Sequence, residues 1–176
     1  MNESSGDGSS FPLTPLEGTY VIGLNNAVSS LLAIFVIISF GRRTILIAGS
    51  FFMALSTFIC GLCILYKWNM AAFISVNIFI LSFHLSTGSI NWLYTPEVTV
   101  DAASGLCIGV NFANGTLISL TFEFMINSPL KVYGSIWWFS IMSAIAFFFC
   151  LFFVKETSGL TDIQKKTLYT PKDFVD

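Results

Sequence analysis

The sequence predicts an all-α polytopic membrane protein with about five transmembrane helices. Hydrophobic residues make up 55% of the 176 residues and charged residues only 10%, whereas a soluble domain has about a quarter of its residues charged. The chain also contains apolar runs of about 20 residues, which is the length needed to cross about 30 Å of hydrocarbon. We therefore expect membrane lipid to surround most of this chain.

Each apolar run is expected to form a helix, because a spanning segment has to pair its own backbone N–H and C=O groups. The strands of a membrane barrel would be shorter and would alternate polar with apolar residues, which these runs do not. Residues 1–19 are acidic and rich in Ser and Gly, so we expect a flexible extracellular lead rather than a secretory signal. Residues 155–176 are expected to form a cytoplasmic tail. The predicted spans are 20–40, 44–66, 70–94, 104–126 and 134–154.

The distribution of Lys and Arg predicts the orientation of the spans. Lys67 and Lys131 are the basic residues on one side of the predicted membrane. The other side is richer in positive charge, and the positive-inside bias assigns that side to the cytoplasm. We therefore expect a multi-pass protein of the plasma membrane, with its N-terminus outside and its C-terminus inside. The basic residues on the cytoplasmic side are Arg42, Arg43, Lys155, Lys165, Lys166 and Lys172.

The sequence contains no residue pattern typical of an enzyme. We find no Ser/His/Asp or Cys/His arrangement and no phosphate-binding loop. Cys60 and Cys63 have the spacing of metal ligands, but no second pair accompanies them. We expect them to be small buried hydrophobic residues, with no metal and no other cofactor. Because no basic patch is present, a nucleic acid is not an expected partner.

Polar residues at membrane depth are the candidate functional residues. His84 lies near the middle of the third predicted span, where an ionisable group is costly and normally faces a cavity or a polar partner. The alternative is a neutral histidine bonded to a neighbouring backbone carbonyl, and the sequence leaves both open. Several amides inside the spans also need a partner, which is a helix, water or a ligand. They are Asn25, Asn26, Asn91, Asn111 and Asn114.

A stripe of small residues runs along the fourth predicted span. Gly105, Gly109 and Ala113 recur every four residues, so one face of the helix allows another backbone to approach closely. We expect this stripe to serve helix packing. A sliding contact in a moving bundle is the alternative.

Four motifs occur in order along the chain. FGRRT follows the first span, WLYTPEV closes the third, GVNFANGT lies within the fourth and VKETSGLT follows the fifth. In this order and spacing the chain resembles the C-terminal part of a sugar porter of the major facilitator superfamily, the hexose-transporter type. The resemblance extends over residues 20–161, and the five spans resemble helices eight to twelve of that family. It implies a partial major facilitator superfamily bundle and transport of a monosaccharide by alternating access.

The resemblance implies a charge cluster at the cytoplasmic ends of the helices. Such groups pair when an inner gate is shut and separate when it opens. Ile38 stands where the family has an acidic residue, and Ser104 or its neighbours stand where it has an Arg. We therefore expect a weakened latch. Orientation and anchoring to lipid headgroups is the alternative role for the cluster. Its members are Arg42, Arg43, Glu97 and Glu156.

The resemblance also implies a substrate-binding set. Trp92 matches a helix-ten Trp that packs at the sugar site, and His84 stands where the family has a Glu that bonds a sugar hydroxyl. Asn114 matches a helix-eleven Asn near that site. A helix-eight Asn position aligns near Val28, with Asn26 about one turn earlier, and we include Asn26 in the set. Because His differs from Glu in charge and reach, selectivity is expected to differ.

A porter also has an N-terminal half, and a helix seven whose paired glutamines grip the sugar. This chain has no counterpart of either, so we expect a truncated hexose transporter-like protein. One alternative is a structural or regulatory membrane subunit that pairs with a second polypeptide supplying the missing helices. The other is a relic that no longer transports.

Overall fold

The computed structural model describes residues 14–129 and 131–169, without the side chain of Asp101. Most of the predicted N-terminal lead and the last part of the predicted tail therefore lie outside the described residues. The described chain is helical and contains no strand. Its helices are α1 (Pro15–Ser39), α2 (Arg42–Leu65), α3 (Asn69–Leu85), α4 (Thr87–Val98), α5 (Asp101–Ile126), α6 (Lys131–Phe153) and α7 (Asp162–Thr167).

Five segments of the described chain are long and apolar enough to cross a membrane. The all-α polytopic fold with five spanning helices is therefore confirmed. The third segment combines α3 and α4, and α7 is a short helix in the tail. The five segments are Pro15–Ser39, Arg42–Leu65, Asn69–Val98, Ala102–Ile126 and Lys131–Phe153.

The first helix begins at Pro15, earlier than the apolar run that predicts it. Thr14 is the N-cap, and its side chain accepts a hydrogen bond from the backbone N–H of Glu17 at 3.3 Å. The Glu17 carboxylate in turn accepts from the backbone N–H of Thr14 at 2.7 Å. This reciprocal capping box satisfies two of the N–H groups that a helix start leaves free. The polar residues before Tyr20 therefore extend the helix rather than the lead.

The third predicted span is not one continuous helix. It breaks at Ser86, where φ is −123° and ψ is −97°, and this residue ends α3 and precedes α4. The predicted loop beginning at Pro96 is also wrong at its start, because α4 continues through Pro96 to Val98. Pro96 has no N–H to donate within the helix, and α4 ends two residues later, at Val98.

Tight packing against α2 accompanies the break. Ser86 is fully buried, and a Cβ built on Gly49 would overlap the Ser86 side chain. The Ser86 hydroxyl donates to the Ser82 carbonyl at 2.6 Å. The Ser89 hydroxyl donates to the His84 carbonyl at 2.8 Å and so satisfies an acceptor near the break. Gly49 therefore permits the close approach of α2 to the α3–α4 junction.

Helix α2 packs against both α6 and α3, and α3 also packs against α1. Ile45, Leu46 and Ile90 form a small buried apolar cluster. Most other buried side chains are Ser, Thr or Cys, which is typical of membrane helices that approach closely. Helix α5 is the exception, since among the described helices it packs closely against α4 and α6 alone and none of its membrane-length window is buried.

The predicted packing stripe on α5 does not pack against a helix within the described chain. A Cβ added to Gly105 or Gly109 would meet no atom within 4 Å, and Ala113 is exposed. The small residues do make a smooth face, as the sequence indicates. However, no helix among residues 14–129 and 131–169 approaches it, because α5 contacts its neighbours along other faces.

Candidate functional site

Two regions of the structure contain the predicted site residues. One is the end of the bundle where the α1–α2 turn, the last turn of α4 and the segment after α6 meet, which we call the charged end. The other is the predicted binding set, which consists of His84, Trp92, Asn114 and Asn26.

Glu97 is the centre of the charged end. Arg42 Nη2 lies 3.3 Å and Lys165 Nζ 3.4 Å from the same oxygen, Glu97 Oε1. The hydroxyl of Thr157, which is fully buried, donates to Glu97 Oε2 at 2.9 Å. The side chains of Glu97, Arg42 and Lys165 are 13%, 21% and 16% exposed. Because solvent reaches these charges only partly, the pairs are screened less than surface pairs.

The second carboxylate, Glu156, caps a helix instead of pairing with an arginine side chain. Its Oε1 accepts from the backbone N–H of Arg42 at 3.0 Å, and its Oε2 from that of Arg43 at 3.1 Å. Gly41, the N-cap of α2, provides no side-chain cap, and a Cβ at this position would collide with the Glu156 carboxylate. A carboxylate in this position also interacts favourably with the helix dipole. Glu156 therefore supplies the capping carboxylate that Gly41 lacks, from 114 residues beyond Arg42 in the sequence.

The predicted pairing of this cluster is thus partly wrong. The four predicted residues do come together, but only Arg42 and Glu97 form an ion pair between side chains. Arg43 Nη2 donates to the Leu151 carbonyl at 2.9 Å instead of to a carboxylate. Two free backbone N–H groups at the start of α2 bind Glu156, and Gly41 leaves the space for it.

Two members of the charged end, Thr157 and Lys165, were not among the predicted site residues. The sequence does contain a signal for the helix that carries Lys165, because Thr161 and Gln164 form a capping box that starts α7, and this pattern is readable. Ser104, at the family position for an Arg, is buried. The second cation beside Glu97 is Lys165, which comes from the tail.

The helix cap made by Glu156 can be tested by mutation. We expect Glu156→Ala to lower the free energy of unfolding by about 1–2 kcal/mol, because loss of an N-cap acceptor leaves helix N–H groups unsatisfied. Thermal unfolding of the chain in detergent micelles, followed by circular dichroism, measures this change. Glu123→Ala is the matched control, because Glu123 is exposed on α5. Equal stability of the two variants would contradict the capping role.

In the predicted binding set, His84 contacts a neighbouring helix. Its Nδ1 lies 3.3 Å from the hydroxyl of Ser30 on α1, and that hydroxyl donates to the Asn26 carbonyl at 3.0 Å. The geometry is satisfied when His84 Nδ1 carries the proton, which leaves Nε2 as an acceptor. Of the two alternatives for His84, the structure therefore shows a polar side chain as its partner, the Ser30 hydroxyl, and not a backbone carbonyl. Ser30 was not predicted, and its small polar side chain gives no distinctive sequence signal.

The other members of the predicted set have few contacts. Trp92 is 50% exposed, and its ring lies 5.8 Å from that of Phe112 on α5. Asn26 and Asn114 are exposed. No hydrogen bond or ring contact joins any two members of the set within the part of the chain that the structure describes. Phe112, two residues before Asn114, brings α5 to Trp92, and its role was not predicted.

Three of the four members of this set, Asn26, His84 and Asn114, lie at similar heights in their helices. Asn26, His84 and Asn114 lie near the middle of α1, of the α3–α4 segment and of α5. Trp92 lies about two helical turns closer to the charged end, since eight residues rise about 12 Å in a helix. In a membrane, an amide without a partner at this depth is costly. These side chains therefore need water, another helix or a ligand.

The described residues contain no group of three or more His, Cys, Asp or Glu side chains that could hold a metal ion.

Comparisons with known proteins give a consistent result. The family profile described as Sugar (and other) transporter matches residues 8–169. The facilitated trehalose transporter Tret1 of Apis mellifera ligustica is 26% identical over 161 residues, which cover 84% of this chain and 32% of that protein. The D-xylose-proton symporter of Escherichia coli is 28% identical over 164 residues, which cover 88% of this chain and 33% of that protein.

A solved structure is also similar. The inward open conformation of the xylose transporter XylE from E. coli matches with a TM-score of 0.77 at 26% identity, over 87% of this chain and 36% of that one. The chain spans about a third of the length of the curated relatives it matches.

Proposed function

Because this chain belongs to the sugar transporter family, we propose that it forms one side of a path by which a small carbohydrate crosses a membrane. The resemblance to sugar porters is confirmed, and membership of this family supports a role in membrane transport rather than in catalysis. The observation that carries the proposal is the uncovered polar set at mid-height of the bundle, with His84 held by Ser30 and Trp92 half exposed.

The residue types of this set suit a sugar. A sugar presents hydroxyls that donate and accept hydrogen bonds, and a polar set with an aromatic neighbour is a common design for small-molecule sites. His84 Nε2 and the amides of Asn26 and Asn114 offer both kinds of partner, and the indole of Trp92 offers a flat apolar surface. The relatives are named for trehalose and xylose, and we propose a substrate of this class. Sites of this kind lie near the bilayer midplane in transporters.

The charged end is proposed to act as the gate at the cytoplasmic side. The excess of Lys and Arg at this end is the basis for its orientation. Glu97 on α4 joins Arg42 on α2, so any motion of α4 relative to α2 changes their separation. Partly sheltered ion pairs of this kind bias a conformational equilibrium more than exposed ones do. The weakened latch expected from the sequence gains a second cation here, Lys165.

A counterpart has to cover the polar set, because lipid cannot satisfy its amides. We propose a second helical bundle, whether in the same polypeptide or in a separate one, that rocks against this one in the manner of alternating access. A structural or regulatory subunit and a transport-dead relic are the alternatives. Both would share this architecture, but neither requires sugar binding at Trp92.

Sugar binding at this set is testable by tryptophan fluorescence. In nanodiscs, we expect D-xylose or trehalose to quench the fluorescence of the chain, because a sugar over the Trp92 indole changes the polarity of the environment around the ring. Trp92→Phe is expected to remove the sugar-dependent change, since the other tryptophans of the four in the chain lie elsewhere. Trp92→Ala is expected to weaken sugar binding about tenfold, the order of an aromatic contact.

Trp68→Phe is the matched control for this experiment, because Trp68 is an exposed indole at the opposite end of the bundle. It should keep the sugar-dependent change. If neither sugar alters the fluorescence of the unmutated chain, the binding proposal is wrong and the structural alternatives are favoured.

A further inference from the structure

The segment after α6 folds back over the charged end and contacts α4 at two points. Helix α7 packs against α4, although α7 lies in the tail and has six residues. One contact is the ion pair of Lys165 with Glu97. The other joins the hydroxyl of Tyr169 to that of Tyr94, which lies one turn before Glu97 on α4. Lys165, Tyr94 and Tyr169, which make these contacts, are not members of the predicted cluster of arginines and glutamates.

The first contact places Lys165 beside the gate carboxylate. Lys165 Nζ lies 3.4 Å from Glu97 Oε1 and also 3.4 Å from Asp162 Oδ1. The Asp162 side chain is 95% exposed, whereas that of Glu97 is 13% exposed. Solvent therefore screens the Lys165–Asp162 pair far more than the Lys165–Glu97 pair. Lys165 is therefore held chiefly by Glu97.

The second contact joins Tyr94 and Tyr169, whose hydroxyl oxygens lie 2.6 Å apart. Tyr94 lies three residues before Glu97, so both side chains project from neighbouring positions of α4. Its hydroxyl also lies 2.9 Å from the Lys155 carbonyl. The two tyrosines thus connect α4 directly to the end of α6.

Tyr169 is held in place by the backbone that follows α6. Its hydroxyl accepts from the backbone N–H of Lys155 at 3.0 Å and lies 3.1 Å from the Phe153 carbonyl. Lys155 Nζ lies 5.1 Å from the centre of the Tyr169 ring and donates to the Leu168 carbonyl at 2.9 Å. These contacts fix the residues just after α7, and they thereby fix the distance from Lys165 to α4.

We propose that Lys165 is a second cation of the Glu97 gate and that the Tyr94–Tyr169 pair is the positioning element that keeps it there. The gate itself rests on the proposed function, but the coupling of tail and α4 does not. Arg42 and Lys165 bring two positive charges to one carboxylate. Removing Lys165 therefore leaves a balanced pair and not an orphaned charge, so the chain should stay folded without it.

Hydrogen exchange of the full chain in nanodiscs, without sugar, tests this coupling. We expect Lys165→Gln to speed amide exchange in the last turn of α4, residues 95–98, by roughly threefold to tenfold, the range of one ordinary polar contact in an opening equilibrium. Lys165→Arg keeps the charge and should restore slow exchange. Tyr169→Phe should speed exchange in the same turn, because Lys165 is then less well positioned. Exchange within α2 should not change, which shows that the fold is intact.

Lys166→Gln is the matched control, because Lys166 is an exposed neighbour of the same charge. It should leave α4 unchanged. The proposal would be overturned if both Lys165→Gln and Tyr169→Phe speed amide exchange in α7 but leave exchange in α4 unchanged. The tail would then have only a structural role. Because no sugar is present, this outcome is independent of whether the chain binds one.

Discussion

Glu97→Ala is expected to lower the free energy of unfolding by about 2–4 kcal/mol, close to the range for breaking a buried ion pair. The carboxylate receives Arg42, Lys165 and the hydroxyl of Thr157. Its removal leaves two cations facing each other with little solvent and leaves a buried hydroxyl without its acceptor. Thermal unfolding in detergent micelles, followed by near-ultraviolet circular dichroism, measures the loss.

Asp162→Ala is the matched control for this prediction. Asp162 lies at the same distance, 3.4 Å, from the same cation, Lys165, but is almost fully exposed. The two variants therefore compare a carboxylate that pairs with Lys165 away from solvent with one that pairs with the same lysine in solvent. We expect Asp162→Ala to unfold at the temperature of the unmutated chain. If Glu97→Ala is equally harmless, the ion pairs of Glu97 contribute nothing to stability and their role as a latch is wrong.

Gly49→Ala is expected to cost about 1–3 kcal/mol, the range for overfilling a close-packed contact. The added methyl group would overlap Ser86 at the break between α3 and α4. One of the two helices would therefore have to shift. Because α2 also packs against α6, the shift cannot be confined to one contact. The same unfolding measurement reports the effect.

Two further variants make this prediction specific. Gly109→Ala introduces the same methyl group on α5, where no atom of the described chain lies within 4 Å. It should be neutral or slightly stabilising, because Ala favours a helix over Gly. Ser86→Gly removes the group that Gly49→Ala meets, so the double variant should recover part of the loss. If Gly49→Ala and Gly109→Ala behave alike, close packing at Ser86 is not what the structure indicates.

The spanning helices could be predicted because each is a single apolar run, and hydropathy is a local property of the sequence. The earlier start of α1 was also readable, from the Thr14–Glu17 capping pattern. The break at Ser86 was not, because it occurs with packing against Gly49 on another helix.

The candidate site, like the fold, could be predicted from the sequence only in part. The resemblance brought Arg42 and Glu97 together correctly, since both lie at helix ends on one side of the predicted membrane. It predicted a cluster of arginines and glutamates but not that Glu156 would bind the backbone N–H groups of Arg42 and Arg43, because sequence motifs record residue types and not which atoms of a neighbour they meet. The contacts of Lys165 depend on how the tail folds back, which no local pattern specifies.

The cap on α2 has a consequence for how the protein is made. Glu156 and the N–H groups it binds are separated by 114 residues at Arg42, so the first turn of α2 stays incomplete until nearly all of the described chain has left the ribosome. Translation proceeds from the N-terminus, and early intermediates in the translocon therefore contain an α2 with a frayed start. Completion of that turn therefore has to wait until α6 and the residues after it, as far as Glu156, have been synthesised.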